Sequence, residues 1–343
     1  MIGASSFQAS GLTEVDLSNI SDGSDHTGLG ARAFENCEKL TSVTFSDGIK
    51  KIPAYCFKGC IKLTEVGLQD IESIGTEAFA NCVYIIKADT ANDDNAQTTA
   101  YGGLTKVTFG DRLTEIDNRA FSNCRALAEI TLPESLSYVG TDVFQNTLVL
   151  QSVETTGENY RYSIGYVDDW AVAFSYSEVA SETEEGETEN PAETVPDFTL
   201  QLQAGTVGIA YRLFTTNKDI TAVEIPLSMR HLGKEVFAGC VNLKSVVFTG
   251  EATGGNMEIP ESAFEGSVNL TSITLPQSVT IIGYSAFADC ENLTAVTFSG
   301  NNLLSIGDDA FVGTKLASIA LPASLKTIGK NAFRALETLK TVS

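Results

Sequence analysis

Apolar residues along this chain recur in one frame. From Ile282 the order is an aliphatic residue, Gly283, two variable residues, Ala286-Phe287, two more, Cys290, then Leu293, Val296 and Phe298. With the Phe as anchor the frame occurs twelve times, at Phe7, Phe34, Phe57, Phe79, Phe121, Phe144, Phe214, Phe237, Phe264, Phe287, Phe311 and Phe333. Most successive anchors lie 22 to 24 residues apart; two gaps are 27, one is 42 and one is 70. The residue five before each anchor is aliphatic in all twelve, and Gly follows it in eight. A Gly recurring there predicts either a positive φ or the close approach of another backbone.

Each unit reads as three elements. The stretch L-x-x-V-x-F, as at Leu40, Val43 and Phe45, is β-branched and alternating and predicts a short strand. The I-x-x-I segment before the Gly, as at Ile49 to Ile52, predicts a second extended piece. Between them the A-F-x-x-C segment predicts one or two turns of α- or 3₁₀-helix with Ala and Phe turned inward. A unit this short cannot bury those faces alone, whereas stacked copies bury a continuous core. The interior anchors Phe34, Phe57, Phe79, Phe121, Phe237, Phe264, Phe287 and Phe311 are the expected centre of that core.

The motif I-G-x-x-A-F-x-x-C-x-x-L-x-x-V-x-F/L runs from Ile282 to Phe298 and, with an insertion, from Ile74 to Val107. It resembles the BspA-like subclass of leucine-rich repeats, found in bacterial and protozoan surface proteins. The resemblance implies a β-rich repeat solenoid of the leucine-rich-repeat type. Short parallel strands would form one face of a curved array, with short helical or 3₁₀ turns between them. Stacked at about 4.8 Å per strand, the array would be roughly 55 Å long.

Six of the seven cysteines occupy one column, three residues after the anchor: Cys37, Cys60, Cys82, Cys124, Cys240 and Cys290. In other copies the place holds Ser10, Thr147, Asn217, Ser267, Thr314 or Leu336. Ser, Thr and Asn cannot form a disulfide and replace a thiolate ligand poorly, so the column reads as small buried fillers, reduced thiols acting as hydrophobes. In-register stacking also points neighbouring side chains the same way, against the geometry a disulfide needs. A one-dimensional column cannot converge tetrahedrally on zinc. Cys56, just before Phe57, falls outside the column and is expected at the surface.

Two interruptions divide the chain into repeats over 1–153, an irregular segment over 154–199 and repeats over 200–343, all in one continuous solenoid. Within the first block, 83–103 is polar and turn-rich and reads as an inserted, solvated loop; Asp89, Asp93 and Asp94 lack calcium-loop spacing. The 154–199 segment opens with an aromatic island: Tyr160, Tyr162, Tyr166, Trp170, Phe174 and Tyr176. It predicts extra strands packed on the solenoid edge, with an exposed ligand platform around Trp170 as the alternative. From Glu178 to Asp197 come eight acidic residues and no Lys or Arg, the pattern of a disordered, self-repelling loop or a partner-binding tether.

Composition changes the picture in one respect. Lys and Arg number 22 against 44 Asp and Glu, a formal charge of −22, which opposes binding to nucleic acid or to an anionic membrane surface. No apolar run reaches membrane-spanning length, and the start, MIGASSFQAS, lacks the basic and apolar stretches of a secretory signal. Of the two histidines, His26 lies in a Gly/Ser/Asp stretch and His231 is expected to face solvent. No nucleophile elbow, P-loop or H-E-x-x-H occurs. An enzyme, a cofactor and a bound metal are therefore not expected.

Partner contacts are expected at the variable positions flanking the strand Val. In the first half these include Glu14, Asp16, Glu65, Lys106, Glu129 and Glu154; in the second half they are small and nearly neutral. With Trp170 of the island they form the candidate partner-binding set, suited to a protein or glycan, and to a basic one if the acidic stripe selects. The expectation is a monomeric, non-enzymatic, extracellular or cell-surface interaction and adhesion module. A spacer projecting another domain and an accessory module of a hydrolase are the alternatives. The chain begins and ends within a repeat, which reads as a fragment whose signal and anchor lie elsewhere.

Overall fold

The computed structural model describes residues 1–20, 28–86, 100–156, 160–178, 198–253 and 255–343. His26, the Asp89, Asp93 and Asp94 set and most of the acidic run lie outside the described residues. The chain divides into two compact units, one of 1–151 with 165–168, the other of 152–164 with 169–343.

The first unit carries two series of parallel strands. The L-x-x-V-x-F segments give Glu14–Leu17 paired with Ser42–Phe45, and Glu65–Leu68 paired with Lys106–Phe109. The I-x-x-I segments give a four-stranded sheet of Lys51–Ile52, Ser73–Ile74, Glu115–Ile116 and Tyr138–Val139. In the second unit the corresponding series are Phe198–Gln201, Ile220–Pro226 and Ser245–Thr249; Ser272–Leu275 with Ala295–Phe298; and Met257–Ile259, Val279–Ile282, Ser305–Ile306 and Thr327–Ile328. Register is homologous: Val66 faces Val107, Ile273 faces Val296, Ile52 faces Ile74. Since the side-chain period is two, any slip by one residue would turn the buried Val and Leu to solvent.

The described residues contain no helix, which corrects the helical or 3₁₀ turns expected around the anchor. The segment is a ribbon of tight turns in which amides alternate between two acceptors. Ala33, Glu35 and Cys37 donate locally to Gly30, Arg32 and Phe34. The intervening amides of Arg32, Phe34 and Asn36 donate to Ala54, Cys56 and Lys58 of the next repeat. A helix would turn every amide back on its own chain; here half of them join neighbouring repeats. The alternation needs left-handed backbone two residues before and two after the anchor, and all twelve copies have it. Asn36, Asn81, Asn123 and Asn146 and the glycines 59, 239, 266 and 313 fill eight of the twelve later positions, as the sterics of that region favour.

The Gly before the turn serves the other expected purpose, close approach rather than positive φ. A Cβ on Gly75 would lie 2.8 Å from the Ala54 amide nitrogen, and one on Gly30 would lie 2.2 Å from that of Ala4.

Behind the turns the anchors stack. From Phe7 to Phe144 and again from Phe214 to Phe333, successive ring centroids lie 5.2 to 5.9 Å apart with planes within 12° of parallel. Interior anchors are fully buried, while Phe7, with a neighbour on one side, is 40% exposed. Beside each ladder runs the cysteine column, buried and free. Each thiol donates to the anchor carbonyl of the preceding repeat: Cys37 to Phe7, Cys60 to Phe34, Cys82 to Phe57, Cys124 to Phe79, Cys240 to Phe214 and Cys290 to Phe264, all at 3.1 to 3.2 Å. Ser267 does the same to Phe237 at 2.9 Å. Burial pushes the Cys60, Cys240 and Cys290 thiols up to about 12 and raises Cys56 and Cys82 as well. Cys56 is buried, contrary to expectation, because it occupies the Ala position of the frame.

One further correction concerns the first interruption, and the second carries the strands expected of it. The ends of the inserted segment pair as an antiparallel ribbon, Val83–Ile86 with Ala100–Gly103, so 83–103 is not wholly loop. Its Tyr84 and Tyr101 lie under Lys62 and Arg125. In the aromatic island, Tyr160–Val167 and Trp170–Glu178 are strands. Tyr160, Tyr162 and Tyr176 crowd Phe198 at 4.8 to 5.3 Å, and Phe174 meets Phe214 edge-on at 5.0 Å, capping the second ladder.

Truncating an interior ring removes two stacking partners and opens a cavity. Phe287→Ala is expected to cost about 3–5 kcal/mol, read as a lowered urea midpoint. In a thiol titration without reductant, seven groups react in denaturant and none of the buried thiols reacts quickly in the native protein at neutral pH. Fewer than seven after denaturation would contradict the reduced column.

Candidate ligand-facing strand surface

On Glu65–Leu68 the alternation is complete: Val66 and Leu68 are buried, Glu65 and Gly67 exposed. The same pleat turns Glu14, Asp16, Ser42 and Thr44 outward. In the first unit, Lys106 sits in register between Glu65 on one side and Glu129 on the other. Its Nζ is 2.8 Å from Glu129 Oε2, and this hydrogen bond and the two carboxylates raise its pKa. Asp16 accepts from the Ser18 amide at 2.9 Å, which holds its carboxyl below the ordinary value and closes the strand end. Four carboxylates therefore share this face with one ammonium, and hydroxyls and a glycine separate them. Glu154 is exposed on Gln151–Thr156 and belongs to the second unit.

Trp170 does not form an accessible platform. It is 4% exposed, and its indole lies over Gly208, where a Cβ would come within 2.5 Å of the ring. It also stacks on His231, centroids 5.7 Å apart and planes 7° from parallel. His231 is thus half-buried rather than solvent-facing. Burial, then the charge of Arg230, depress its pKa.

The second unit's strand face carries a feature that the residue pattern did not single out. Ser245–Thr249 is the edge of one sheet and Ser272–Leu275 the edge of the next; no ladder joins them among the described residues. A groove of about 750 Å³ lies there, lined by Ser245, Val247, Ala252, Ser272, Thr274 and Gln277 among others. The 27-residue spacing from Phe237 to Phe264 was its one signal in the sequence, since the longer unit supplies the segment bearing Ala252.

Among the described residues no cluster of His, Cys, Asp and Glu could hold a metal, and no helix is long and apolar enough to cross a membrane. Short parallel strands in homologous register, backed by an aromatic ladder and closed by turns, define a leucine-rich repeat protein. More narrowly, the chain belongs to the family described as the BspA type leucine rich repeat region (6 copies), whose model matches residues 1–101, 97–166 and 207–340.

Solved structures similar to it include a leucine-rich repeat protein from Bacteroides ovatus, 22% identical, covering all of this chain and 82% of that one, with a TM-score of 0.38. A leucine rich cell surface protein from Faecalibacterium prausnitzii is 21% identical over 97% of this chain and 83% of its own, TM-score 0.37. The pneumococcal vaccine antigen PcpA is 18% identical over 96% and 78%, TM-score 0.35. No curated protein matches the chain.

His231 yields a pH prediction. Its folded pKa lies below 6.5, so the unfolded chain binds the proton more readily, and its contribution to stability is lost as pH falls from 6.5 through the folded value. The groups facing it are Trp170, Arg230 and, in register on the next strand, Glu258. Glu258 acts in the opposite sense, its carboxyl raised by burial. His231→Phe keeps the stack and removes only the histidine proton. It should therefore lose less stability than the parent between about pH 7.5 and pH 5.5 by urea denaturation.

Proposed function

We propose that this chain is a non-enzymatic, extracellular binding module that engages a basic protein partner through the strand face of its first unit. The observation that carries the reading is the set of outward carboxylates Glu14, Asp16 and Glu65 on strands, with Glu129 bridged to Lys106 beside them. Small neighbours such as Ser42, Thr44 and Gly67 allow a partner close to the sheet. The net charge of −22 extends the field that would steer a basic partner inward. Membership of the BspA-type family supports a place at the cell surface.

The test is a binding screen of the purified protein against extracellular-matrix proteins and glycans, with salt dependence. Glu14→Lys with Glu65→Lys touches no buried atom and should leave folding unchanged. It should slow association with a basic partner by about tenfold and flatten its salt dependence. Absence of binding at high micromolar concentration would favour a structural spacer.

A further inference from the structure

We draw no further inference here: the strongest candidate, the ribbon of Val83–Ile86 and Ala100–Gly103 in the first unit, with Ile85 and Ile86 exposed and its Tyr84 and Tyr101 held under Lys62 and Arg125, carries nothing because no feature of the structure shows what covers it.

Discussion

In each turn around a Phe anchor, one amide closes a tight turn and the next reaches the neighbouring repeat. Ala33 binds Gly30, Phe34 binds Cys56, Glu35 binds Arg32 and Asn36 binds Lys58. Backbone groups buried without partners are costly, so this alternation commits each repeat to having a neighbour. It also commits the backbone to left-handed conformations at fixed places, which explains why Asn and Gly recur two residues after the anchor. A helix in the same place would satisfy its own amides and, at this point of the repeat, leave neighbours joined only by side chains.

The core follows from that ladder. Once repeats are held at a strand-like spacing, the anchor rings lie nearly parallel with centroids 5.2 to 5.9 Å apart, within the range in which aromatic pairs attract. The space beside each ring admits a side chain the size of a thiol, which donates to the preceding anchor carbonyl, whereas Thr147 and Thr314 in the same column donate to their own anchor's. Cys290 and Ser267 solve this alike. The column is a hydrogen-bonded filler whose chemistry is silenced by burial.

With both backbone and core constrained, chemical variety is left to the outward strand positions, and the two units fill them differently. The first presents carboxylates moderated by Lys106. The second presents short hydroxyls, an exposed Val247 and, in register beside it, Glu224. Trp170 and His231, which would ordinarily attract attention as recognition residues, instead pack on each other and on Gly208 within the second unit.

The repeat frame, the buried anchors and the outward faces of the strands were legible in the residues alone, because burial imposes a period and twelve copies average out local exceptions. The Ser and Asn substitutions likewise identified the cysteine column as packing. Four matters were decided only in three dimensions: that the turns are not helical, that Cys56 and Trp170 are inside, that the ends of the 83–103 insertion pair, and that two strand edges part to leave a groove. Each depends on where a neighbouring chain lies rather than on what a residue is. An amide's partner, a side chain's cover and the pairing of an edge are properties of the stack, and the order of residues within one repeat does not contain them.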